Sequence, residues 1–94
     1  MAGVKDQVLE NKGYQQLTSI SSATALTVPV GARYAMIQCN NANDVRWRDD
    51  GTNPTTSIGM ILPNSGYPIL WYTGKLQNLR VISASGQLNV SYYG

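Results

Sequence analysis

Three carboxylates, Asp44, Asp49 and Asp50, followed closely by Asn53, are the densest set of chemically capable side chains in this chain. Paired carboxylates can hold Ca²⁺ or act as acid and base on a sugar. Arg46 and Arg48 are interleaved with them. An arginine beside an aspartate lowers the carboxyl pKa, the opposite of what a general acid requires. Asp49-Asp50-Gly51 also reads as a turn, with aspartate accepting backbone N–H groups and glycine taking positive φ. A turn braced by ion pairs is the first reading of the cluster, recognition of a partner the second, and metal binding or catalysis the last.

Other reactive groups are sparse. The chain has no histidine, which removes the usual base near neutral pH, the Ser-His-Asp triad and most zinc sites. Cys39 is the single cysteine, so no intramolecular disulfide forms, and its apolar run Ala35-Met36-Ile37-Gln38-Cys39 suits a small buried hydrophobe. No glycine-rich phosphate loop appears. Trp71-Tyr72 supplies adjacent aromatics for stacking on a sugar, but neighbours on a strand face opposite ways. One ring of the pair belongs to the core, and a carbohydrate platform then needs help from Tyr67 or Tyr93. The expectation is a non-enzyme without cofactor or metal.

The elements that position these residues are short and β-favouring. From Tyr14 onward, strand-like runs alternate with turn residues, the spacing of an all-β sandwich or barrel. The expected strands are Tyr14 to Ile20, Ala23 to Val28, Arg33 to Asn40, Asp44 to Asp49, Met60 to Leu62, Tyr67 to Tyr72, Gln77 to Ser83 and Gln87 to Tyr93. Asn40-Asn41-Ala42-Asn43 is expected to join the third and fourth as an antiparallel hairpin. Period two turns Ala35, Ile37 and Cys39 to one side, Trp47 inward with Arg46 and Arg48 outward, and Leu88, Val90 and Tyr92 inward. Residues 51–59 lack a strand period and form the longest expected loop. The fold class is all-β: a small two-sheet antiparallel sandwich, with a jelly roll among the windings such strands allow. Residues 1–13 read as an N-terminal arm and residues 14–94 as one β-sandwich domain.

Composition leaves two readings of the C-terminal half open, an assembly surface for a protein partner and a neutral solvent-facing sheet. Only 13% of residues are charged, well below the roughly 25% of an average soluble protein. After Asp50 only Lys75 and Arg80 carry charge. Neutral polar and aromatic residues cost less to bury at an interface than ions do. A net charge of +2 with interleaved signs gives no basic stripe for nucleic acid. No run approaches the length of a membrane helix, and the N-terminus has no apolar signal region. The expectation is a chain made and kept in the cytosol unless exported by other means, with no membrane partner.

Several runs, taken in order, resemble small virion proteins of tailed bacteriophages: Ala25 to Ala32, Val45-Arg46-Trp47-Arg48-Asp49-Asp50-Gly51-Thr52-Asn53-Pro54-Thr55, Gly59-Met60, Trp71 to Gly74 and Leu88 to Tyr93. The Arg-Trp-Arg-Asp-Asp-Gly-Thr stretch is the most specific, and no catalytic motif accompanies it. The resemblance implies a β-sandwich decoration, or cement, protein on the capsid surface of the virion. It would bind the major capsid protein between capsomers as a homo-oligomer, a dimer or trimer. A neck or tail position, or a receptor- or glycan-binding module of the particle, is the alternative. The expected partner contacts are Lys5 and Lys12 on the arm, Arg46, Arg48, Asp49, Asp50 and Asn53 around the loop, and Tyr93 on the last strand.

Overall fold

The computed structural model describes residues 8–39, 43–63 and 70–94. Eight strands form two four-stranded antiparallel sheets. They are β1 (Asn11–Leu17), β2 (Thr24–Ala25), β3 (Tyr34–Cys39), β4 (Val45–Arg48), β5 (Met60–Leu62), β6 (Leu70–Tyr72), β7 (Arg80–Ile82) and β8 (Leu88–Tyr93). One sheet has the order β1-β8-β3-β6 and the other β2-β7-β4-β5. The pairs β1/β8, β2/β7, β3/β6 and β4/β5 are nested. The chain is thus a long two-stranded ribbon, with β4 and β5 at its innermost turn, rolled so that successive segments alternate between the sheets.

Strict alternation makes β8 the centre of the first sheet. Leu88, Val90 and Tyr92 are buried, while Asn89, Ser91 and Tyr93 face out. Each inward residue meets inward partners on both sides: Val90 lies opposite Gln15 and Ile37, and Tyr92 opposite Gly13 and Ala35. Ile37, Cys39 and Val90 pack in one core with Val45, Leu79 and Val81 from the other side. Burying each aliphatic side chain of this size contributes about 1.5–3 kcal/mol. Tyr92 is fully buried, and its hydroxyl donates to Gln15 Oε1 at 2.7 Å. That carboxamide oxygen also accepts the Thr27 backbone N–H at 3.2 Å, so the polar tip of a core aromatic is satisfied where β1 meets the β2 segment. Burial pushes the Tyr92 phenol up to about 12.

The expected hairpin between the third and fourth strands does not form. β3 pairs with β8 and β6, whereas β4 pairs with β5 and β7 in the opposite sheet. Both strands bury one face, so each finds its partners within its own layer, and the connection between them crosses from sheet to sheet. Residues 40–42 of the expected turn lie outside the described residues.

The first strand begins at Asn11, three residues before the expected start. Asn11 pairs with Tyr93 and Gly13 with Tyr92 across an irregularity at Lys12, so residues 11–13 belong to the sheet and not to an arm. Backbone bonds Glu10 N to Gly94 O (2.9 Å) and Gly94 N to Glu10 O (3.0 Å) extend this ladder. Part of the expected seventh strand is instead a short 3-10 turn over Leu76–Asn78 that buries Leu76.

Candidate functional site

Two surfaces hold the side chains with functional potential. The first is the end of the second sheet formed by β4, the following loop and β5. Arg48 makes a two-pronged contact with Asp50, Nε to Oδ1 at 3.0 Å and Nη2 to Oδ2 at 2.5 Å. This hydrogen bond to Arg48 is the main cause of a lowered Asp50 pKa, and its counterpart raises that of Arg48. Arg46 donates from Nε to Thr56 O at 3.2 Å and from Nη1 to Gly59 O at 3.0 Å. A guanidinium presents donors in a fixed fork, and here the fork clasps the loop to the strand.

The loop supplies matching features. Thr55 and Ile58 exchange backbone bonds, and Thr55 Oγ1 accepts the Ser57 and Ile58 N–H groups. Gly59 sits at φ +143°, and a Cβ there would lie 3.2 Å from Arg46 Cβ, Pro54 Cβ and the Trp47 carbonyl oxygen. Only glycine combines that backbone angle with so close an approach. Asp49 accepts the Tyr72 hydroxyl at 2.6 Å, and Tyr72 packs edge-on against Trp47 with ring centroids 5.9 Å apart. Gly74 leaves room for the Tyr72 tip, which a Cβ would strike. Burial, then the bond to Asp49, raises the Tyr72 pKa. The charged cluster is therefore committed largely to internal bracing. Among the described residues, no three His, Cys, Asp or Glu side chains are grouped to hold a metal.

What this end offers outward is apolar. Ile58, Met60 and Ile61 are 57%, 60% and 51% exposed, and β5 is the edge strand of its sheet. A shallow depression of about 280 Å³ lies beside them, lined by Arg48, Asp49, Asp50, Ile58, Gly59 and Met60.

The second surface is the outer face of the β1-β8-β3-β6 sheet. Registers align Tyr14, Ser91, Met36 and Trp71 in one row across all four strands, and Gln16, Asn89 and Gln38 in the next. Tyr34 stacks on Trp71 (5.8 Å, 11°), and Tyr93 leans on the same indole (5.8 Å, 49°). These side chains carry no formal charge. Arg33, at the corner, lies 5.4 Å from the centre of the Tyr34 ring, a cation–π distance.

The residues expected to contact a partner do not form one site. Arg46, Arg48, Asp49, Asp50 and Asn53 gather at the β4–β5 end, where Asn53 is exposed near Asn78 and Arg80. Lys12 and Tyr93 belong to the other sheet, with Lys12 Nζ 3.3 Å from Glu10 Oε1. Lys5 lies outside the described residues. Comparison with protein-family models, curated proteins and solved structures gave no match to this chain.

Sequence reasoning left Tyr14, Tyr34, Met36 and Asn89 out of the candidate set. Their signal was parity: each stands one residue from an inward-facing position on a strand, so it must face out. Tyr72 is buried and Trp71 is 42% exposed, as alternation required, and Tyr93 supplies the aromatic neighbour that Trp71 needed. Tyr67 lies outside the described residues.

Proposed function

We propose that this chain is a structural protein of a tailed-bacteriophage particle, bound to the outside of the capsid between capsomers after synthesis in the host cytoplasm. Its partner is the major capsid protein, and it acts as a homo-oligomer, a dimer or trimer. The observation that carries this reading is the β5 edge, where Met60 and Ile61 on the edge strand and Ile58 just before it stand exposed. Free-standing proteins blunt such edges with charge, proline or cover, because an apolar edge invites pairing with another chain. Here Arg46 and Arg48 are turned to the loop and to Asp50, which leaves the apolar strip for a protein partner.

Two further features support the reading. The run most similar to decoration proteins, Val45 to Thr55, forms this same end of the molecule. The nested strand order supports reading the sandwich as a jelly roll, an architecture used by viral capsid and lectin domains alike. Since fold alone does not select a function, the edge and the sequence resemblance bear the weight.

Quantitative mass spectrometry of purified particles tests it. A copy number comparable with that of the major capsid protein is expected. A few copies per particle would move the chain to the neck or tail, and absence from particles would refute the proposal. Met60→Glu/Ile61→Lys should weaken binding to capsids stripped of this protein while leaving the circular dichroism spectrum unchanged.

A further inference from the structure

The outer face of the β1-β8-β3-β6 sheet lies away from the edge invoked for docking, and its chemistry differs. On its β6 edge strand is an indole, Trp71, 42% exposed and flanked by Tyr34 and Tyr93 at ring-centroid distances of 5.8 Å. An aromatic face carries a negative quadrupole and attracts the weakly positive C–H face of a pyranose. Such a ring flanked by two others is held in place before any ligand arrives. A ring set held in place before binding loses little side-chain freedom when a flat ligand stacks on it.

Next to the rings are neutral hydrogen-bonding groups whose orientation is also fixed. Asn89 Oδ1 accepts the Tyr14 hydroxyl at 2.8 Å and Gln16 Nε2 at 3.0 Å. The two donors commit the carboxamide oxygen and leave Nδ2 as the outward donor, while Gln16 keeps Oε1 as an acceptor. Ser91 Oγ accepts from Asn11 Nδ2 at 3.0 Å and donates to the Tyr93 hydroxyl at 3.2 Å. The Tyr93 proton is thereby left for an external acceptor. Tyr14, Met36, Gln38, Asn89 and Ser91 line a depression of about 150 Å³. The platform crosses four strands, about 14 Å at ordinary strand spacing, long enough for a short chain of sugars.

Charge decides the ligand class. The rows carry hydroxyls, carboxamides and a thioether but no ion; Arg33, the one cation at the corner, lies against the Tyr34 ring. A phosphate or carboxylate ligand would find no opposing charge in the platform, and a nucleic acid no basic track. We infer that this face is a binding site for a neutral oligosaccharide, with Trp71 as the stacking residue and the fixed carboxamides of Asn89 and Gln16 as the hydroxyl readers. The site requires neither a capsid nor any other partner, so its test is independent of the particle assignment.

The isolated full-length chain is screened on an array of neutral and acidic oligosaccharides, and hits are titrated by tryptophan fluorescence and calorimetry. At least one neutral oligosaccharide should bind at millimolar affinity or better. Trp71→Ala and Asn89→Ala should each weaken it about ten-fold or more, the loss typical of truncating an anchor at the centre of a contact. Circular dichroism and thermal melting establish that both variants are folded, and Asn53→Ala, at the opposite sheet, should bind like the parent. Four results would overturn the site: no neutral binder, binding indifferent to Trp71, binding confined to acidic glycans, or a self-association abolished by Trp71→Ala. The last would assign the face to a second copy of this chain.

Discussion

The two tryptophans, each on a short strand, occupy opposite roles. Trp47 stands between arginines on β4, is half-buried and meets Tyr72 edge-on. Trp71 stands between an apolar residue and Tyr72 on β6, faces outward and gathers two tyrosines around itself. Flanking charge does not mark the functional ring. Strand parity does: position 47 shares its face with buried Val45, whereas position 71 is one residue out of phase with buried Tyr72. The charged end of the molecule spends its ions on holding a loop, and the uncharged face orders its polar groups by bonding them to one another across strands.

Substitution of each ring separates the roles most sharply. Trp47→Ala should cost about 3 kcal/mol by opening a cavity beside Tyr72. Trp71→Ala should cost only about 1 kcal/mol, the order of the aromatic contacts it loses. Urea titration followed by circular dichroism reads both, and equal losses would erase the distinction. Tyr72→Phe should follow at about 1.5 kcal/mol, the scale of a hydrogen bond to an ionised carboxylate, with Asp49→Asn losing less because its amide oxygen still accepts.

Alkali probes the core side of the comparison. Tyr72 and Tyr92 both have folded pKa values raised above the ordinary phenol, so the native state retains protons that the unfolded chain releases. Stability from this source is fully present below about pH 10 and falls as pH rises further. Melting temperatures between pH 9 and 11.5 should show the decline, and Tyr72→Phe/Tyr92→Phe should flatten it.

Acid and salt probe the loop brace, with the smallest effect. The Asp50 carboxyl is held low by Arg48, so its contribution is present above about pH 4 and is lost as pH falls through the folded value. The pair is exposed, and salt should weaken it. Asp50→Asn should therefore remove a small, salt-sensitive part of the acid limb of the stability curve, measured at low and high ionic strength.

Much of this was legible in the chain itself. Alternation over Ala35, Ile37 and Cys39, and over Leu88, Val90 and Tyr92, set the inward faces, because a half-buried strand can satisfy only one phase of period two. Gly51 to Gly59 read as loop for want of any such phase. Pairing was less legible: the β3–β4 connection resembles a hairpin locally, and only the competition between two layers sends the strands apart. The aromatic platform was hidden for the same reason. Tyr34, Trp71 and Tyr93 become neighbours only through the order β8-β3-β6, which no local pattern encodes. Even Asp49, read as part of a carboxylate cluster, answers to Tyr72, 23 positions away.

The nested ribbon also imposes a schedule. β8 follows the other seven strands in the chain, yet it lies at the centre of its sheet between β1 and β3. Until it leaves the ribosome, β1 has no partner in that sheet, and the inward faces of Leu17, Ala35 and Ile37 lack the strand that joins them. Long-range pairing of this kind is slow and leaves apolar segments exposed while it waits. The fold is therefore completed only after synthesis of its final strand, and a nascent chain halted before Leu88 should depend on chaperones and be open to protease across the whole first sheet.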